Sequence, residues 1–200
     1  MKIRLCAALI LLSLFVSCSS SRIEPAFSPV YVTNSSKYTV LPPVFMAGKL
    51  DAFQQMSAKF GDKEFEMPVY VVADETQLSM TVLNEFGTTL AGLFYDGSVL
   101  EFNSAVFPKN MKAEYIVADF QFCLYDSEEL KSALSKIGID FTTEKIPGTD
   151  GKTTEIRTLK KGKKLISKIT VISETAGNAI SLIQYENFLR GYSYTLKTLD

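Results

Sequence analysis

The sequence predicts a mainly β domain: a curved antiparallel sheet forming a half-open barrel, lidded by one or two helices. Three observations lead there. Period-two alternation of apolar and polar residues recurs on both sides of a central block. Turn residues punctuate those runs at short intervals, the pattern of hairpin-connected strands that curl into a barrel or sandwich. The central block alone has helical patterning, and two helices are too few to coat both faces of a parallel sheet.

Along the chain, strands begin near Leu50. Glu64-Phe65-Glu66-Met67 alternates, and Val69-Tyr70-Val71-Val72 is β-branched and aromatic. Pro68 between them predicts an edge position or a bulge. Leu78, Met80 and Val82 share one face, with Ser79 and Thr81 on the other. Asp96-Gly97 supplies the positive φ angles of a tight hairpin, so Thr88–Tyr95 and Ser98–Asn103 are expected to pair. Met111 to Tyr125 reads as a helix with apolar residues on most sides, which requires burial on more than one face; the aromatic content of Ala118 to Tyr125 also allows a strand there. A second helix starts at Asp126, an N-cap with Glu129 at the third helical position. Its stripe is Leu130, Leu134 and Ile137, and Gly138 stops it. Beyond Ile139 strands return. Leu165, Ser167, Ile169 and Val171 are expected on one face, and Ile166 and Ile172 opposite. The chain closes with Tyr192, Tyr194 and Leu196 aligned. Lys160-Lys161-Gly162-Lys163-Lys164 reads as a solvated hairpin turn, or as a small patch for anionic headgroups.

The N-terminus says where the protein works. Lys2 and Arg4 precede an apolar run from Leu5 to Val16, and Ser17 stands before Cys18. This is the layout of a bacterial secretory signal peptide with a small residue before the cut. With Cys at the first mature position it resembles a lipoprotein signal, although Phe15 stands where Leu is usual. The resemblance implies diacylglycerol on the Cys18 sulfur and cleavage after Ser17. The expected organisation is therefore a signal over residues 1–17, lipidated Cys18 and a tether over 18–36, and one domain over 37–200 with a helical insert at 111–138. Ser19 is not the Asp that holds lipoproteins in the inner membrane of enteric bacteria. The expected location is the cell envelope, at the outer membrane facing the periplasm.

Composition removes several function classes. Without Lys2 and Arg4, the 21 basic residues become 19 against 22 acidic, a net charge of −3, and no basic stripe suggests nucleic acid. There is no His, the commonest general base and zinc ligand. Cys6 leaves with the signal and Cys18 is acylated, so Cys123 is left alone as a small buried hydrophobe. No spacing suggests a metal or cofactor, and an enzyme is not expected. Asp119 and Gln121 stand out as polar residues within an apolar helix. Each is either a polar contact in a ligand cavity or a group bonded within the fold, as a carboxylate against backbone amides or a Tyr hydroxyl would be.

Thr88 to Gly97, Tyr115 to Gln121 and the closing run Ile180 to Leu196 resemble an uncharacterised family of bacterial lipoproteins, often encoded beside fatty-acid-like and aryl-polyene biosynthesis genes. That family looks like the half-open barrel of the LolA/LolB lipoprotein carrier and receptor, in which acyl chains lie between sheet and helices. The resemblance implies a lipid or acyl ligand, with transfer or insertion at a membrane. The cavity expected between sheet and insert is lined by Leu93, Ile116, Phe120, Leu182, Tyr194 and Leu196. Its reason is that the insert carries more apolar surface than one sheet contact covers. The alternative is an assembly lipoprotein that binds another envelope protein without a small ligand. Anchorage has a direct test. Cys18→Ser is expected to abolish lipid labelling and move the protein to the soluble periplasmic fraction; unchanged membrane partitioning would refute the lipoprotein reading.

Overall fold

A computed structural model of the chain describes residues 27–107 and 111–199. The expected signal peptide, Cys18 and the first part of the tether lie outside the described residues. The chain enters through a short hairpin, β1 (Val30–Tyr31) paired with β2 (Lys37–Tyr38), and a 3-10 turn at Pro43–Phe45. Two meanders then build the main sheet. β3 (Leu50–Phe60), β4 (Lys63–Ala73), β5 (Leu78–Leu83), β6 (Thr89–Tyr95) and β7 (Leu100–Ser104) step outward from the middle to one edge. β8 (Asp140–Pro147), β9 (Lys152–Lys161), β10 (Lys164–Glu174), β11 (Ile180–Asn187) and β12 (Tyr192–Thr198) start at the far edge and step back. The seam is the antiparallel pair β3–β12, and every other neighbour in the ten-stranded sheet is next in sequence.

This order dictates what the helices do. β7 and β8 occupy opposite edges, so the chain between them must cross one face of the sheet. It does so as α1 (Ala113–Leu124) and α2 (Ser127–Ser135). α1 touches β7 at one edge and also β10 and β11 in the other half, so the sheet bends around it. The edges do not pair, and the result is a half-open trough rather than a closed barrel. Register explains which residues fill it. Leu78, Met80 and Val82 pair with Ala73, Val71 and Val69 on one side and Tyr95, Leu93 and Ala91 on the other, and all nine are buried. In the second half Ile169, Tyr185 and Tyr194 form one row across three strands, and Val171, Ile183 and Leu196 the next.

α1 is covered on both sides. Val117, Ala118 and the five residues from Phe120 to Leu124 are all buried, which one sheet contact would not achieve for an α-helix. The second cover is the N-terminal segment. Val30, Val32, Tyr38 and Val40 belong to the same core, and the Tyr38 ring lies 5.1 Å from that of Phe122. The fold therefore begins earlier than residue 37. Residues expected to be tether, from about Phe27 to Ser36, form a strap over α1, and the surplus apolar surface of the helix is spent on that strap.

Other local expectations meet the structure unevenly. Asp126 caps α2, its Oδ1 accepting from the N–H groups of Glu128 (2.9 Å) and Glu129 (3.1 Å). Its own N–H donates to the Phe45 carbonyl at 2.8 Å, so the reciprocal half of the capping box is replaced by a tie to the strap. The hairpin turns one residue later than expected: Tyr95 pairs with Leu100, the Asp96 N–H donates to the Val99 carbonyl at 3.2 Å, and Asp96 Oδ1 accepts from both Ser98 and Val99 N–H at 2.7 Å, which leaves Gly97-Ser98 at the tip. β4 is not an edge strand. Its pairing with β5 starts only at Val69, so Pro68 sits where that neighbour ends. A bulge between Leu165 and Ser167 turns Ile166 into the core, against the expected alternation.

Candidate functional site

Three polar groups fix α1 in the trough, and each faces a different wall. The first is Asp119, toward β11 and β12. The Tyr192 hydroxyl donates to Asp119 Oδ2 at 2.7 Å. Because Tyr194 lies opposite Tyr185 and Tyr192 opposite Phe60 in register, their rings stack into a ladder. Tyr194 and Tyr185 are 5.0 Å apart and 7° from parallel, Tyr185 and Tyr192 5.8 Å and 18°, and Tyr192 and Phe60 5.4 Å and 16°. Asn187 Nδ2 donates to the Tyr192 hydroxyl at 3.3 Å, and Ser167 Oγ lies 3.3 Å from that of Tyr185. Cys123 Sγ lies 3.6 Å from the Tyr194 hydroxyl. Burial in this setting raises the Asp119 carboxyl to about 7; the Tyr192 and Tyr185 hydroxyls and the charge of Arg190 pull the other way. Burial likewise pushes the Cys123 thiol up to about 12, which leaves it protonated and non-nucleophilic at neutral pH.

The second is Gln121, toward the strap. Its Oε1 accepts from the Tyr38 hydroxyl at 2.7 Å and the Leu41 N–H at 3.0 Å, while its Nε2 donates to the Leu41 carbonyl at 2.6 Å. The amide thus pairs with Leu41 as a neighbouring strand would. Tyr95 also donates to the Leu41 carbonyl, at 3.0 Å. The third group comes from the sheet. Arg157 on β9 is only 4% exposed, and its Nη1 donates to the carbonyls of Phe122 (3.3 Å) and Tyr125 (2.7 Å). A cation at the C-terminus of a helix meets the carbonyls left without helical partners. Its Nε pairs with Glu155 Oε1 at 2.7 Å, and Lys145 Nζ lies 3.6 Å from Glu155 Oε2.

Beside Arg157, where α1 ends, a cleft of about 210 Å³ opens. Met46, Leu50, Leu124, Val171 and Ile180 form an apolar wall, and Lys49, Lys145, Glu155, Asp126 and Asn178 surround the rest. A second hollow of about 340 Å³ lies over β3, β4 and β12, where Ser57, Lys59, Glu64, Glu66, Ser193 and Thr195 give it polar walls.

The cavity residues named from the sequence are distributed differently. Leu93, Phe120 and Leu196 are buried in the packed core, with Ile116 and Tyr194 partly buried against it. Leu182 does not share their face. It pairs with Ile172 and Lys197 on the outside of the sheet, while Ile183 points inward. Of the six, Tyr194 alone borders either hollow. Gly92 also lies on the outer face, opposite Thr81 and Asn103. Asp119 and Gln121 are both brought to the helix interfaces. Arg157 and Glu155 were not singled out from the sequence; with Leu159 they share the inward face of one strand, and the alternation of Thr154 to Leu159, with Ile156 on the other face, groups them without saying which face is inward. Among the described residues, no three His, Cys, Asp or Glu side chains cluster as metal ligands would.

Fold and site together define a half-open β trough with a helix latched into it. Residues 51–200 match the family described as protein of unknown function (DUF3261), and the chain belongs to that family. No curated protein matches it by sequence. Among solved structures, the crystal structure of MucB is similar over 78% of this chain, at 8% identity and a TM-score of 0.39. The match takes in 54% of the MucB chain, so this chain spans about half the length of that one.

The Asp119 environment has a pH signature. A carboxyl raised from the ordinary 3.8 to about 7 in the fold binds more protons folded than unfolded across that interval. Its stabilising contribution is full below about pH 4 and is lost as pH rises to about 7. Asp119→Asn keeps an acceptor for Tyr192 and removes the titration. It is expected to raise the melting temperature at pH 7.5 and to flatten the pH 4–7 dependence; an unchanged slope in thermal melts would count against this environment.

Proposed function

We propose that the protein is a lipid-anchored envelope protein that binds an acyl chain or similar amphiphile without catalysis, for transfer or insertion at the outer membrane. The observation that carries this reading is the cleft at the end of α1. An apolar wall next to a rim of Lys49, Lys145, Glu155, Asp126 and Asn178 suits a ligand with a hydrocarbon tail and a polar head. At about 210 Å³ it is below the ~300–1,000 Å³ of typical ligand pockets, so it takes the end of a chain while α1 stays in place. More space requires α1 to shift, which would exchange the polar contacts of Asp119, Gln121 and Arg157 and uncover part of the seven side chains that the helix buries. The half-open trough is the architecture that the LolA/LolB resemblance implies, and anchorage through Cys18 would keep it at a membrane. A protonated Cys123 thiol and a sequence without His support a binding role over an enzymatic one.

A second reading has its own observation. β8 is a free edge of the sheet, and all of its residues except Phe141 are exposed. That edge suits strand addition by another envelope protein, with Lys145 and Pro147 restricting promiscuous pairing. Titration of the unlipidated Cys18→Ser chain with a fluorescent fatty acid separates the two. Ile180→Trp, which fills the cleft, is expected to weaken binding at least tenfold with an unchanged far-UV circular dichroism spectrum. Unaltered affinity would remove the cleft as the site. A wild-type chain that ignores the probe but cross-links to an envelope protein through β8 would favour the second reading.

A further inference from the structure

Charge separates between the two ends of the trough. Antiparallel pairing puts the β3–β4, β5–β6, β9–β10 and β11–β12 turns at one end and the β4–β5, β6–β7, β8–β9 and β10–β11 turns at the other. α2 finishes at the first end, where the Ile137 carbonyl accepts from Ser36 Oγ and Lys161 Nζ reaches the same Ser36 oxygen at 2.9 Å. That end carries Lys160, Lys161, Lys163 and Lys164 at one hairpin, Lys59 and Lys63 at another, Arg190 at a third and Lys136 after α2, against Asp62, Glu64, Glu85 and Asp140. The opposite end is acidic. Asp74 and Glu75 follow β4, Asp96 follows β6, Asp150 follows β8, Glu174 closes β10, and Asp126, Glu128 and Glu129 open α2, which outnumber Lys49, Lys145 and Lys152 there.

The basic end also presents aromatic tips. Phe86, in the β5–β6 turn, is 90% exposed, and Phe188, in the β11–β12 turn, 52%. Neither projects by default. The Phe86 N–H is fixed by Asn84 Oδ1 at 2.9 Å, and the Phe188 N–H by the Ile166 carbonyl at 2.9 Å, so both rings are displayed from bonded turns. The acidic end shows Val44 on the 3-10 turn beside Gly97 and Val99, while its nearest exposed aromatic among the described residues, Phe53, lies within β3 rather than at a turn tip.

We infer that the end bearing Phe86, Phe188 and the Lys160–Lys164 turn docks on an anionic bilayer surface, which turns the acidic end and its cleft away from the membrane. Phenyl rings that enter the headgroup layer and lysines beside them are the combination that holds a peripheral domain on such a surface. The sheet itself makes a plane available, because hairpin tips around a curled sheet lie along one rim. The inference rests on the membrane anchorage proposed above. Phe27 follows Cys18 by nine positions, a reach of at most ~30 Å, which makes a weak second contact effective.

Vesicle co-sedimentation of the unlipidated Cys18→Ser chain tests the rim apart from the anchor, whose own failure would appear as absent lipid labelling. The chain should bind vesicles of phosphatidylcholine with a quarter phosphatidylglycerol, more weakly in 0.5 M salt, and pure phosphatidylcholine poorly. Phe86→Ser with Phe188→Ser should reduce binding at least tenfold, and Lys163→Gln with Lys164→Gln about fivefold per charge. Lys49→Gln, at the acidic end, should change it less than twofold. Thermal melts identify any variant that fails to fold, and Phe86→Ser alone, a fully exposed change, then serves in place of the pair. No binding to the anionic vesicles, or equal binding by rim variants and wild type, would overturn the proposal.

Discussion

The structure depends on covering an apolar helix on every side. α1 buries seven of its residues, in a protein whose sheet offers it a single concave face. Water cannot be the other wall for Phe122 and Leu124 without the usual cost of exposed apolar surface, about 25 cal/mol per Å². The N-terminal strap supplies that wall, and the strap in turn needs partners for its backbone. Gln121 provides them at Leu41. One side chain thereby joins the two elements that neither the meanders nor the hairpins connect, and its carbonyl and amide groups are both satisfied.

The remaining latches follow the same rule, that a buried polar group is retained only with a partner. Arg157 is paired with Glu155 and with two helix carbonyls, so the charge and the helix end satisfy each other. Asp119 has hydroxyls from the tyrosine ladder and a carboxyl pushed toward neutrality, so its burial is tolerated partly by protonation. Gln54 is the exception. It is fully buried, its Nε2 donates to Thr198 Oγ1 at 3.3 Å, and its Oε1 has no partner among the described residues. Together these groups keep a helix in place without welding it there. A packed hydrophobic interface alone would give no comparable set of exchangeable contacts.

The sheet was legible because period two and turn residues are local signals. Leu78, Met80 and Val82 needed no knowledge of their neighbours to be placed inward, and Asp126 announced α2 by its own side chain. The failures share a different cause. Leu182 was assigned to the cavity face because Ile180 to Tyr185 is apolar at most positions, so alternation could not choose between Leu182 and Ile183; only pairing with β10 and β12 does. The bulge at Ile166 has no signature in a run of Leu, Ile and Ser. Most consequential was the strap. Val30, Val32 and Tyr38 lie among Pro, Ser and Asn, a composition that reads as linker, and their burial depends on a helix some 80 residues away. The apolar surplus of α1 was visible in the sequence, whereas what covers it was not. Asp119 and Gln121 were recognisable as misfits in an apolar helix, but Arg157, on a strand, reads as an ordinary surface residue until its face is known.

α1 and its strap form a unit latched onto a sheet that is continuous without them, as the lid of the proposed binding site would have to be. Native-state hydrogen exchange across low denaturant concentrations tests that most directly. The account predicts that the amide of Leu41 and those of α1 exchange through a sub-global opening, at lower free energy than the amides of β3, β4 and β12. Exchange of all of them only through global unfolding, with one common free energy and denaturant dependence, would contradict it.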